Sequence, residues 1–173
     1  MFVPAEDFVV SYGATDLMTC ARYTHVMKKS ANEIAKLMVN GFYRDVELPD
    51  PEPDMSDIQE KYDELDGESA VIEDDDRHTL LEMHADIEMP EPFEDKDGIE
   101  RPYVVTIDKS SRTILSIRRN YYEEDEKKKK VQYFVHYKYL PGLGLYGTGL
   151  IHLIGGLAKS ATSIIRQLID DCN

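Results

Sequence analysis

Three glycines near the end of the sequence have the spacing of a nucleotide-binding loop. Gly142, Gly144 and Gly147 follow the order Gly-x-Gly-x-x-Gly. In dinucleotide-binding folds, such glycines let the backbone approach a pyrophosphate that lies at a helix N-terminus. That site requires a parallel β-α-β unit, whereas the segment before Pro141 is expected to end an antiparallel meander. We therefore interpret the glycines as a tight strand-to-helix corner, with a nucleotide- or dinucleotide-binding enzyme as the alternative.

A second group that could do chemistry is the run of alternating acids around His84. Glu82, Asp86 and Glu88 share a face with His84 if this segment is a strand, because side chains two residues apart point to the same side. Histidine and carboxylates can bind a metal ion, but such a row is more often the solvated side of a strand. No nucleophile signature accompanies it. The sequence thus predicts no catalytic, cofactor-binding or metal-binding residues, and no enzyme.

The elements that position these residues are mostly strands. Alternating apolar and polar residues predict an antiparallel meander of about four strands over residues 78–140. The predicted strands are residues 81–89, with Leu81, Met83, Ala85 and Ile87 on the buried side, and then residues 103–107, 113–121 and 131–139. Two further β-favouring runs, residues 8–10 and 23–26, lie near the N-terminus.

Flanking helices complete an α+β fold class. We expect them over about residues 31–40, 55–65 and 148–170. Ser30 and Glu33 have the spacing of a capping box at the start of the first helix. The last helix carries an apolar stripe that can be buried against a sheet or a neighbouring subunit: Leu150, Leu153, Ile154, Leu157, Ala161, Ile164, Ile165 and Leu168.

The net charge of −14 is unevenly distributed along the chain. Of the 34 acidic residues, 23 lie between Asp45 and Glu100, against three of the 20 basic residues. Prolines and acids make residues 45–76 an acidic excursion from a single domain that spans residues 1–173. A surface this acidic disfavours a basic grip on nucleic acid, but it allows a channel through which DNA slides without being held. No membrane span is expected.

Several segments resemble the portal proteins of short-tailed, double-stranded-DNA bacteriophages. The resemblance covers nearly the whole chain, and it depends on the order and spacing of the segments. They are Val9-Val10-Ser11-Tyr12-Gly13-Ala14-Thr15-Asp16-Leu17, Ala21-Arg22-Tyr23-Thr24-His25, Gly41-Phe42-Tyr43-Arg44-Asp45-Val46, Leu81-Glu82-Met83-His84-Ala85-Asp86, Arg101-Pro102-Tyr103-Val104-Val105-Thr106-Ile107 and residues 141–170.

The resemblance implies a structural role rather than catalysis. Portal proteins form a homo-oligomeric ring of about twelve copies at one capsid vertex. The genome is packaged through the ring by a separate terminase motor and is ejected through it at infection. The resemblance also implies contacts with capsid and tail or adaptor proteins, and double-stranded DNA that passes without sequence-specific binding. The expected location is the virion, after synthesis in the cytoplasm of the bacterial host.

Members of this family are longer than this chain. The segments correspond to a β-rich wing and the start of a helical region, so we expect a truncated internal fragment or prophage remnant of a portal protein. A further alternative is an inert remnant that interferes with portal assembly.

Overall fold

The computed structural model describes residues 2–51, 76–90, 98–142 and 144–171. The chain divides into two compact units. Unit 1 comprises Met1–Ser11 and Ala21–Val131, and unit 2 comprises Tyr12–Cys20 and Gln132–Asn173. The predicted helix over residues 55–65 and most of the acidic excursion lie outside the described residues.

Unit 1 is built on a five-stranded open sheet in which each strand pairs with the next along the chain. The strands are β1 (Phe8–Val10), β2 (Arg22–Ser30), β3 (Arg77–Ile87), β4 (Arg101–Asp108) and β5 (Ile114–Arg119). All four pairings are antiparallel. The predicted α+β class with an antiparallel meander is therefore confirmed.

Strands β3, β4 and β5 cover three of the four predicted strands, and the two N-terminal β-favouring runs supply β1 and β2. The fourth predicted strand was wrong, because residues 131–139 form no strand. At the start of this segment, the Val131 N–H donates to the carbonyl of Asn120 at 2.9 Å. Alternation predicted a two-faced segment correctly, but a strand also needs a partner edge.

Helix α1 (Ala31–Val39) starts directly where β2 ends. Ser30 is its N-cap: the hydroxyl accepts from the Glu33 N–H at 3.3 Å, and the Glu33 carboxylate accepts from the Ser30 N–H at 2.9 Å. This is the predicted capping box. The helix buries Ile34 in a core with Tyr43, Leu80 and Leu115.

This core changes the predicted facing of β3 in part. Ala85 is buried as predicted, but His78, Leu80 and His84 of the other face are buried too, whereas Leu81 and Met83 are only half-buried. The prediction that His84 lies on a solvated face was wrong, since His84 is 2% exposed. The physical reason is that α1 and Tyr43 pack against the side of the sheet that carries Leu80.

Unit 2 contains helix α2 (Leu150–Asp171), which confirms the predicted C-terminal helix within two residues at its start. An extended segment over residues 132–139 and the glycine corner precede it. Tyr12–Cys20, the connection between β1 and β2, also belongs to unit 2.

Candidate functional site

In the glycine corner of unit 2, the backbone before the glycines is hydrogen-bonded to the backbone after them. The Thr148 N–H donates to the Leu140 carbonyl at 3.0 Å, in an isolated antiparallel bridge. A methyl group at Gly147 would lie 2.6 Å from that carbonyl oxygen, and Gly144 adopts φ +93°. Both positions therefore require glycine for local geometry, as a tight corner does.

A lysine stabilises this corner from the preceding segment. The Lys138 ammonium donates to the carbonyl oxygens of Gly144 at 3.1 Å and Thr15 at 3.4 Å. Helix α2 begins at Leu150, two residues after the bridge. The glycines thus set the angle at which the chain enters α2, which is the role that the sequence predicts for them.

In unit 1, Glu82 and His84 belong to a partly buried polar network. The Glu82 carboxylate lies 3.3 Å from His84 Nε2 and accepts from Arg118 Nη2 at 3.5 Å. Asn120 Nδ2 lies 3.4 Å from His84 Nδ1. The imidazole stacks on the Tyr23 ring, with centroids 4.7 Å apart. The network joins β2, β3 and β5, and thereby favours one register of the sheet.

The network also determines which nitrogen of His84 carries the proton. An ionised Glu82 can only accept, so Nε2 of His84 is the donor and Nδ1 accepts from the Asn120 amide. The hydrogen bond from His84 lowers the pKa of the Glu82 carboxyl below its ordinary value, with Arg118 acting in the same direction and burial opposing them. Burial lowers the pKa of neighbouring His25, and Glu82 opposes that shift.

A second buried histidine, His78 of β3, lies against the turn between β4 and β5. Asp108, at the end of β4, accepts hydrogen bonds from the Ser110 hydroxyl, the Ser111 hydroxyl and the Ser111 N–H, and His78 Nδ1 lies 3.4 Å from it. Burial raises the pKa of Asp108, but the serine hydrogen bonds lower it further, to a value below the ordinary one. Since the Ser111 hydroxyl donates to the carboxylate rather than to the imidazole, the group is not arranged as a nucleophile and base.

The residues weighed as metal ligands do not converge. Asp86 and Glu88 are exposed, whereas His84 is buried. Among the residues that the structure describes, no three His, Cys, Asp or Glu side chains are grouped so that they could hold a metal ion. The same residues include no helix with both the length and the apolar composition needed to cross a bilayer.

Many of the exposed large apolar side chains among the described residues lie on helix α2. Its large apolar side chains are between 49% and 81% exposed. They include Leu150, Ile151, Leu153, Ile154, Leu157, Ile164, Ile165 and Leu168. The segment before the corner adds Val135 (91% exposed), Tyr137 (88%) and Tyr139. Exposed apolar side chains in this number are typical of an interaction site. We call these residues of α2 and of 135–139 the apolar surface of unit 2.

Charge is divided between the two units. Unit 2 contains three acidic residues (Asp16, Asp170, Asp171) and three basic residues (Lys138, Lys159, Arg166). Its formal charge is zero, so unit 1 carries the entire net charge of −14. Two copies of the chain repel each other through unit 1 and do not repel each other through unit 2.

Sequence reasoning predicted the stripe on α2 but missed the network around His84. The network depends on cross-strand register: Tyr23 lies opposite His84, and Val104 lies opposite both His84 and Arg118. No local pattern encodes those pairings. Only the order Glu82-x-His84 was visible as a signal.

Comparison with known proteins adds no relative to these observations. No protein-family model matches the chain. No curated protein matches it either. The resemblance to portal proteins therefore rests on the sequence segments named above.

Proposed function

We propose that this chain is a structural subunit of a bacteriophage portal ring, through which the genome is packaged and ejected. The observation that carries the proposal is the set of exposed apolar side chains on a unit whose formal net charge is zero. Such a surface favours assembly with other protein, because burying it releases about 25 cal/mol per Å² of apolar area. The resemblance of the sequence segments to portal proteins identifies the kind of assembly.

The division of charge supports assembly of identical copies. A ring brings equivalent surfaces of many copies close together, so a chain of net charge −14 needs a surface without acidic residues for that contact. The region from Leu150 to Ile169 contains no Asp or Glu. The acidic unit 1 then remains solvated, and like-charge repulsion between neighbouring copies is reduced.

The proposed partners follow from the resemblance. They are further portal subunits, and also a terminase, the capsid and tail or adaptor proteins. Double-stranded DNA passes through the ring without sequence-specific binding, in agreement with the scarcity of basic surface. The proposed role includes no catalytic step, cofactor or metal.

The test is the size and shape of the purified chain. We expect light scattering after gel filtration to give a homo-oligomer whose mass falls on dilution, and negative-stain images to show rings with a central hole. Co-expression with a full-length portal protein is expected to give mixed rings. A chain that stays monomeric at 100 μM or more, with or without that partner, is incompatible with the proposal.

The alternative function is a nucleotide-binding enzyme. One observation supports it, the spacing of Gly142, Gly144 and Gly147. A bound dinucleotide stabilises the folded state by an amount that grows logarithmically with its concentration. Thermal unfolding with and without millimolar dinucleotide therefore separates the two functions. An increase in melting temperature supports the enzyme, and an unchanged one supports the structural role.

A further inference from the structure

The apolar side chains of helix α2 cover a wider arc of its circumference than packing against a single neighbouring element would bury. Successive helical residues are about 100° apart, so the residues from Leu153 on one side to Ile151 on the other span an arc of about 160°. A helix that packs on one side of a core has an apolar stripe of about 100°. Helix α2 therefore has apolar surface for two neighbours.

The arc has two edges and a centre. The first edge consists of Leu153, Leu157 and Ile164, and the second of Ile151, Ala158, Ile165 and Ile169. Between them lie Leu150, Ile154, Ala161 and Leu168 at spacings of four or seven residues. Such spacing is typical of a helix that packs against other helices. The neighbours that fit both edges are helices.

The charge pattern favours copies of α2 itself as those helices. A copy of this chain has a net charge of −14, and unit 2 contributes none of it. The cations Lys159 and Arg166 lie opposite the apolar arc, since they are about 180° and 160° from Leu150 around the axis. Over residues 150–169, copies of α2 can therefore approach through either edge without burying a charge.

We propose that each α2 packs between the α2 helices of two neighbouring copies, with the first edge of one helix against the second edge of the next. This head-to-tail contact generates a ring when its rotation closes. The inference rests on the proposed function and specifies the contact that builds the ring.

The size of the contact agrees with two neighbours rather than one. A helix of 22 residues is about 33 Å long, and a seam about 10 Å wide along it covers about 330 Å² per partner. A standard stable interface buries about 800 Å² per partner. Two seams bring each helix to about 660 Å², and residues 135–139 are available to add to it.

Three successive residues of α2 provide matched variants for the test. Ile164 and Ile165 are the same residue type, are both 57% exposed, and lie on the first and second edges respectively. Ser163 precedes them on the polar side and is also exposed. Ile164→Lys and Ile165→Lys each place a charge in one edge, and Ser163→Lys is the control. Leu157→Lys and Ile151→Lys form a second pair, should the first fail to fold by circular dichroism.

Light scattering of the variants, alone and in 1:1 mixtures, gives the answer. We expect the control to keep the wild-type size and each edge variant to be monomeric at concentrations where wild type is a ring. A mixture of the two edge variants retains one intact first edge and one intact second edge, so it is expected to form a dimer and nothing larger.

The outcomes separate this inference from the proposed function. If wild type forms rings but one edge variant also does, or the mixture stays monomeric, the head-to-tail contact through α2 is wrong and the ring uses another surface. If wild type is itself monomeric, the proposed function fails first.

Discussion

Replacing Gly147 by alanine tests the glycine corner directly. The added Cβ lies 2.6 Å from the Leu140 carbonyl oxygen and 3.4 Å from the Lys138 Cβ. A carbon and a carbonyl oxygen normally approach to about 3.3 Å, so the two backbone segments must separate by about 0.7 Å. That same carbonyl accepts the Thr148 hydrogen bond at 3.0 Å, and the separation weakens it.

The expected cost has two parts. Forcing a methyl group into a filled space costs about 1–3 kcal/mol, and losing the hydrogen bond costs about 0.5–1.5 kcal/mol. We therefore expect Gly147→Ala to lower the free energy of unfolding of the corner and its helix by about 2–4 kcal/mol. Urea unfolding followed by circular dichroism at 222 nm measures the loss, because α2 is the longest helix among the described residues.

Gly156→Ala is the matched control. A Cβ at Gly156 meets nothing within 4 Å, and the residue lies within α2 outside the apolar arc. Alanine there is expected to raise stability by about 0.8–1.0 kcal/mol through helix propensity. The reasoning about the corner is refuted if Gly147→Ala is within about 0.5 kcal/mol of wild type. A destabilising Gly156→Ala reveals instead a close neighbour on the polar side of α2.

Three further predictions concern unit 1. Leu80→Ala, at a core position with 0% exposure, is expected to cost about 2–5 kcal/mol in urea unfolding, whereas Ile117→Ala at a half-exposed position costs under about 1 kcal/mol; equal losses contradict the assigned core. Burial lowers the pKa of His25 from 6.5, and the His84 hydrogen bond lowers that of Glu82 from 4.5. Just below pH 6.5, because of His25, and just below pH 4.5, because of Glu82, the folded state therefore binds fewer protons than the unfolded state. Stability measured between pH 7.5 and 4 therefore decreases as pH falls through 6.5 and again below 4.5. Glu82→Gln is expected to reduce the lower step, to which Glu33 also contributes because its hydrogen bonds with Ser30 lower its pKa; a profile that rises toward acid is inconsistent with the network. Ser30→Ala removes the capping box at α1 and is expected to cost about 1 kcal/mol, while Ser30→Asp retains most of the stability; identical unfolding curves for the two variants show that the cap does not contribute.

The sequence predicted those elements whose signals are local. Alternation located β3, β4 and β5, and the pair Ser30 and Glu33 located the start of α1. The facing of β3 could not be predicted in the same way, because it depends on Ile34 and Tyr43, which are far from Leu80 in sequence.

Residues 131–139 illustrate the same limit. Their alternation is as regular as that of β3, yet the segment forms no strand, and Val135 and Tyr137 remain exposed. Periodicity describes which side chains share a face, whereas strand formation depends on an edge supplied by another part of the chain.

The assignment of Tyr12–Cys20 to unit 2 has a consequence for how the chain acquires its structure. This segment is the hairpin connection of β1 and β2, so it is synthesised early and is closed into a loop by a local pairing. Its link to Lys138, through the Thr15 carbonyl, spans 123 residues. On a ribosome, unit 2 therefore cannot form until most of the chain has emerged, and its slow, long-range closure follows the sheet. Helix α2 follows the acidic residues 45–100 in the chain, so its apolar side chains are synthesised after them.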